Sequence, residues 1–210
     1  MAVWVKICGI TTLHDAEIAV SAGADAIGLN VVPSSKRRIE PTTARPIAEA
    51  VRGKIEIVLV VANSSREQIE NLKQELNPDW VQFHGDEEPA ALEPFLPRAY
   101  KAVRIEDAGD VAQADAYPGE RLLVDAKVSG ELGGTGRAFD HSLVRGLAKR
   151  RSLIVAGGLD PENVARVVQS VTPFGVDTAS GVEVSGSPRH KDPERVLAFV
   201  QRAKGLVEPD

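Results

Sequence analysis

The sequence predicts a single-domain α/β fold, the (β/α)8 or TIM barrel, spanning residues 1–210. Three observations carry that expectation. Short β-branched runs alternate from end to end with segments whose apolar residues recur at helical spacing. The alternation makes eight strands with seven or eight helices, at about 26 residues per unit, near the small end of the range for such a barrel. No Gly-x-Gly-x-x-Gly follows the first strand, which weighs against the doubly wound open sheet that shows the same alternation.

In chain order, the first strand covers 3–8, with Trp4, Lys6 and Cys8 on one face and Val5 and Ile7 on the other. Thr12 and Asp15 then have capping-box spacing for a helix start. Strands follow at 25–31, 56–62, 79–83, 99–104, 121–125, 152–156 and 174–178. Between them, Ala44, Ile47, Ala48 and Val51 fit one face of a helix, as do Ile69, Leu72 and Leu76. Later stripes are Val164, Val167, Val168 and Val171, then Val196, Phe199, Val200 and Ala203. Asp160-Pro161 and Asp192-Pro193 each put a capping carboxylate before a proline at the first helical position. No linker, repeat or low-complexity tract divides the chain.

Composition excludes several classes. Hydrophobic residues are 43% and charged residues 26%, a globular balance that leaves enough apolar surface for a sizeable core. No apolar run approaches the roughly 18 residues of a membrane span. Lys6 interrupts what would have to be the apolar segment of a signal peptide, so export is not expected. Cys8 is the one cysteine, which agrees with a reducing cytoplasm and removes internal disulfides and cysteine-rich zinc sites. With 25 basic and 30 acidic residues the net charge is −5, and basic residues cluster only at 36–38 and 149–151, so no nucleic-acid partner is expected.

Barrel chemistry sits where strands end and their loops begin. Cys8 ends the first strand and reads either as a small buried hydrophobe or as an active-site thiol, and Gly9 after it suits close approach by a ligand as well as a tight turn. Asp125 terminates the apolar run Leu122, Leu123 and Val124, where it could cap a helix or do chemistry. Strands 1 and 6 lie three steps apart in an eight-membered ring, so the two side chains would face each other across the mouth. Glycine-rich loops at 133–136, 157–159 and 180–183 offer backbone N–H groups to an oxyanion, and the last two follow strands 7 and 8, where barrels bind phosphate. The cations at 36–38 form either a solvated patch or a fork for a carboxylate. His84 and Asp177 read more readily as structural.

Several segments together, VKICGIT at 5–11, GADAIG at 23–28, SKRRIEP at 35–41, VQFHG at 81–85, LLVDAK at 122–127, GGTGRAFD at 133–140, GGLDPENV at 157–164 and VDTASGVE at 176–183, resemble the signature segments of phosphoribosylanthranilate isomerases of the tryptophan pathway. The resemblance runs from about residue 3 to residue 206 and implies the same barrel. It implies Cys8 as general base, Asp125 as general acid and Arg37 as the binder of the anthranilate carboxylate. It also implies phosphate-binding amides at Gly157, Gly158, Ser180 and Gly181, a loop at Gly134 and Gly136 closing over the substrate, and Asp177 at the substrate site. The chain departs from the family pattern at Leu29, Asn30, Val31 and Val32, where aromatic residues are usual, and at Ser35-Lys36-Arg37, where SPR is common.

The implied reaction is an Amadori rearrangement of a phosphosugar substrate, with no cofactor, no metal, no nucleic acid and no membrane, by a cytoplasmic monomer or homodimer. Both acid–base groups would work in their minority protonation states, since free cysteine titrates near about 8.5 and free aspartate near about 3.9. Lys6 is placed to lower the thiol value. Two other readings are a related sugar-phosphate isomerase of histidine synthesis or a dual-specificity version of it, against which Cys8 counts because that family has aspartates at both strand ends, and a non-catalytic phosphosugar-binding barrel.

Overall fold

The computed structural model of the protein describes residues 2–105, 108–125 and 142–206. Every expected strand forms, within a residue or so of its predicted limits: β1 Trp4–Cys8, β2 Ala26–Asn30, β3 Glu56–Val61, β4 Trp80–Phe83, β5 Ala99–Arg104, β6 Arg121–Asp125, β7 Ser152–Ala156 and β8 Gly175–Thr178. They run parallel in ring order, and β8 pairs back onto β1 to close the barrel. Seven α-helices surround it among the described residues: α1 Leu13–Ser21, α2 Pro41–Val51, α3 Arg66–Leu76, α4 Ala108–Asp115, α5 Ser142–Ala148, α6 Val164–Val171 and α7 Pro193–Ala203.

Strand alternation splits the core in two. Val5, Ile7, Ile27, Leu59 and Val124 face outward and pack under the helices with Ile47, Ile69, Val167 and Phe199. Trp4, Val58, Trp80, Tyr100, Leu123 and Ile154 face inward and fill the barrel, with Cys8 at their edge. Parallel strands covered on both sides need this near-continuous apolar character.

The helix starts are only partly as expected. Thr12 accepts from Asp15 N, and Asp192 caps α7 by accepting from the amides of Glu194 and Arg195. Asp160, however, does not open α6. Its carboxylate accepts from Asn163 N at 2.9 Å while Asn163 Oδ1 accepts from Asp160 N at 3.0 Å, and this mutual turn delays the helix to Val164. The fourth crossover holds no α-helix: Pro89, Pro94 and Pro97 break the segment into two 3₁₀ turns, Pro89–Ala91 and Glu93–Phe95, which bury Leu92 and Phe95. A short antiparallel hairpin, β9 Glu183–Val184 with β10 Ser187–Lys191, follows β8 and was not foreseen.

The N-terminal end of the barrel is plugged by a polar knot. Glu56 accepts from Trp4 Nε1 at 3.1 Å and Trp80 Nε1 at 3.3 Å, and from both terminal nitrogens of Arg121 at 3.0 and 3.3 Å. The Arg121 guanidinium lies 3.8 Å from the centre of the Trp80 ring and 5.0 Å from that of Trp4. Replacing it with alanine removes the counter-charge of Glu56, which keeps only its two indole donors, and removes the cation–π contacts. Because Glu56 keeps some access to water, Arg121→Ala should cost about 2 kcal/mol, seen as a lower urea midpoint at constant slope. An unshifted midpoint would show the knot to be a bystander.

Candidate active site

At the C-terminal mouth, the strand ends and following loops enclose a cavity of about 560 Å³, lined among others by Cys8, Arg37, His84, Asp125, Gly157 and Ser180. That volume suits a small molecule. A larger cleft of about 1020 Å³ lies at the opposite face, around 148–152, 168–174 and 202–206, and brings together no thiol and acid. Cys8 and Asp125 thus share one cavity, from strands three steps apart around the ring.

Directly beneath Cys8, Lys6 and Asp177 are register partners on β1 and β8, and the Lys6 ammonium donates to Asp177 Oδ1 at 2.9 Å with no exposure to solvent. Burial alone would lower Lys6, yet Asp177, followed by Cys8, holds it far above the ordinary lysine range. The thiol behaves differently from the expectation. Burial pushes Cys8 above an ordinary cysteine, and the opposing pull of Lys6 does not reverse it. The thiol also needs an empty space on β2: a Cβ at Gly28, the register partner of Cys8, would stand 2.7 Å from Sγ and 3.1 Å from Lys6 Cε.

His84, which the sequence favours as structural, faces the cavity and is set by a relay. Tyr100 OH donates to Gln82 Oε1 at 3.0 Å, which turns the Gln82 amide nitrogen toward His84 Nδ1 at 2.9 Å. With Gln82 so assigned, His84 Nδ1 accepts and Nε2 carries the proton. Burial, helped by Lys6, lowers His84 and keeps it neutral, while burial holds Tyr100 far above its ordinary value as an intact phenol. A signal for His84 was present in the alternation Trp80, Gln82, His84 on one face of the fourth strand and its extension.

Arg37 reaches the cavity from the loop after β2. Its stem lies across Gly9, which has φ +73°, so the chain after Cys8 takes a conformation that glycine adopts freely and leaves room for Arg37. The guanidinium is not unpartnered: Nε and Nη2 donate to the two oxygens of Glu183 at 2.6 and 2.7 Å. Lys191, fully buried, also donates to Glu183 at 3.1 Å. Neither partner was anticipated.

Gly157 and Gly158 both take positive φ, 100° and 70°, and line the cavity with Ser180. Their loop is braced by Asn163 Nδ2, which donates to Gly158 O at 2.9 Å, and by Thr178 Oγ1, which donates to Leu159 O at 2.6 Å. Gly181 lies just behind the wall, where any Cβ would collide with the Leu159 carbonyl. Asp177 borders the cavity floor with one oxygen committed to Lys6. Asn30 and Val32, at the departure from the family pattern, line the wall, and Asn30 Oδ1 accepts from Val32 N. Gly134 and Gly136 lie outside the described residues.

A closed parallel barrel that joins a thiol, a carboxylate and glycine loops at its C-terminal mouth defines a (β/α)8-barrel enzyme. The family model described as N-(5'phosphoribosyl)anthranilate (PRA) isomerase matches residues 5–202. The N-(5'-phosphoribosyl)anthranilate isomerase of Magnetococcus marinus is 40% identical over 205 residues, covering 97% of this chain and 98% of that one. The phosphoribosylanthranilate isomerase crystal structure from Thermotoga maritima superposes with a TM-score of 0.85 at 38% identity, covering 97% of this chain and all (100%) of the other. A structure of such an isomerase in complex with reduced 1-(o-carboxyphenylamino)-1-deoxyribulose 5-phosphate matches with a TM-score of 0.84 at 35% identity, over 97% and 100% of the two chains. The chain belongs to the phosphoribosylanthranilate isomerase family, enzymes of tryptophan biosynthesis.

Because Cys8 is the one cysteine, its titration can be followed by alkylation rate against pH. The midpoint should lie above the roughly 8.5 of a free thiol. In Lys6→Met it should move higher still, since Lys6 outweighs Asp177 among the charges that act on the thiol. An unmoved midpoint would remove Lys6 from the control of Cys8.

Proposed function

We propose that Cys8 and Asp125 carry out the family's isomerisation of N-(5'-phosphoribosyl)anthranilate to 1-(2-carboxyphenylamino)-1-deoxyribulose 5-phosphate as an acid–base Amadori rearrangement. The observation that carries this reading is that the two residues end β1 and β6 and line one cavity with the Gly157-Gly158 pair.

Asp125, in its acid form, gives its proton to the furanose ring oxygen. The bond from that oxygen to C1 breaks as the anthranilate nitrogen lone pair forms C=N, leaving an open-chain protonated Schiff base. Cys8, as thiolate, takes the proton from C2. That C–H pair becomes the C1=C2 bond, the C=N pair returns to nitrogen, and the enolamine tautomerises to the ketone. A thiol above its ordinary value is scarce as thiolate but a stronger base once formed, which suits removal of a carbon-bound proton.

The remaining contacts position the substrate. Arg37 takes the anthranilate carboxylate through two parallel hydrogen bonds. Amides of Gly157, Gly158, Ser180 and Gly181 take the phosphate, a task the positive φ of the glycine pair supports by leaving the backbone open to close approach. Asp177, at the cavity floor, borders the sugar. A lone thiol that must remain reduced fits the cytoplasm. The chemistry asks for no cofactor.

Cys8→Ala and Asp125→Asn should each lower kcat by about 10²- to 10⁴-fold, the usual worth of positioned proton transfer. The assay is loss of the anthranilate-type fluorescence of the substrate, and affinity for a non-reacting product analogue should change little. A Cys8→Ala enzyme within about threefold of wild-type kcat would end this mechanism, because it leaves no room for that contribution.

A further inference from the structure

We propose that Glu183 is a positioning residue that aims Arg37, and that Lys191 supplies the charge that keeps the pair attractive to a carboxylate. The inference rests on the reading above that Arg37 receives the carboxylate of the substrate.

A guanidinium presents two edges that each match a carboxylate, one through Nε and Nη2 and one through Nη1 and the second Nη2 hydrogen. Glu183 occupies the first edge with both oxygens, at 2.6 and 2.7 Å, and Nη1 has no hydrogen-bond partner among the described residues. Held by that edge and by its stem against Gly9, Arg37 keeps its second edge for the cavity it lines. The loop carrying it is fixed from the same side: Arg189 Nη1 donates to the carbonyls of Lys36 and Arg38 at 3.2 and 2.9 Å, and Ser35 Oγ accepts from Arg37 N.

Arg37 with Glu183 alone is neutral and would offer a carboxylate little. Lys191, buried and donating to Glu183 Oε1 at 3.1 Å and Ala179 O at 3.0 Å, leaves the three groups with one net positive charge. Glu183 also directly follows the turn Ser180–Val182, so the residue that orients the carboxylate fork is tethered to the proposed phosphate loop. The two anionic ends of the substrate are thereby held at a set separation by one short piece of chain.

The test is a set of steady-state measurements with N-(5'-phosphoribosyl)anthranilate on the intact chain, alongside inhibition by inorganic phosphate. Glu183→Ala should raise KM by about tenfold or more, the effect of losing a charge-assisted contact, with kcat changed by less than about threefold. Phosphate inhibition should be unchanged, which a general folding defect would not allow. Glu183→Gln, keeping the volume and one acceptor oxygen, should lie between wild type and alanine, and it carries the same comparison if the alanine variant does not fold. Lys191→Met should raise KM in the same direction. Since Glu183 acts through Arg37, the double variant Arg37→Ala with Glu183→Ala should be no worse than Arg37→Ala alone. A wild-type KM in Glu183→Ala beside a raised KM in Arg37→Ala overturns the positioning role only, as do penalties that multiply in the double variant. An unchanged KM in Arg37→Ala overturns the carboxylate assignment itself.

Discussion

The ion pair between Lys6 and Asp177 closes the barrel and electrifies its mouth. The two residues face each other in register across the junction of first and last strands, with an ammonium wholly out of solvent. A charge in that position is tolerable only with an opposite charge in contact, so Lys6 and Asp177 each require the other. The pair constrains the seam more narrowly than apolar packing would, because a one-residue slip of either strand would turn that strand's charge out of the barrel and leave the other buried without its partner. Cys8, His84 and Tyr100 all feel it.

That field acts together with burial on the titratable groups of one small cavity. Burial raises the Cys8 thiol, and the nearby ammonium limits how far it rises. The same burial lowers His84, and the ammonium works in the same direction there. Desolvation thus leaves both groups neutral at rest, while Lys6 favours the thiolate and disfavours the imidazolium. Gly28 makes the arrangement possible sterically, by leaving β2 without a side chain where the sulfur and the lysine stem meet.

Much of this was legible in the sequence because its signals are local. Alternation on a strand names the inward face, so Trp4, Lys6 and Cys8 could be grouped, and Asp125 read as a strand-end carboxylate, before any fold was known. Caps were legible where side chain and amide are neighbours, as at Thr12 and Asp192. Asp160 misled because its partner Asn163 forms a competing turn of similar chemistry. The hairpin of β9 and β10 escaped because Ser187, Pro188, Arg189 and His190 carry no apolar alternation to mark a strand. The Glu183 contact joins residues 146 apart in the chain, and no spacing rule reaches that far. The Cys8 value likewise depends on how deeply the folded barrel buries the sulfur, a quantity a strand pattern does not contain.

The fourth crossover covers its side of the barrel with two 3₁₀ turns instead of a helix, and polar pins fasten it beside the buried Leu92 and Phe95. Lys101 donates to Gly85 O at 2.6 Å, Glu87 accepts from the amides of Asn63 and Gly85 at 2.7 and 2.9 Å, and Tyr117 OH donates to Glu87 O at 3.0 Å. Opening such a sector uncovers less apolar surface than undocking an amphipathic helix. In native-state hydrogen exchange, amides there would open with a shallow denaturant dependence, set apart from the steep slope of global unfolding. The strand end that carries His84 would then exchange by a local route while the seam between β1 and β8 waits for the whole barrel to come apart.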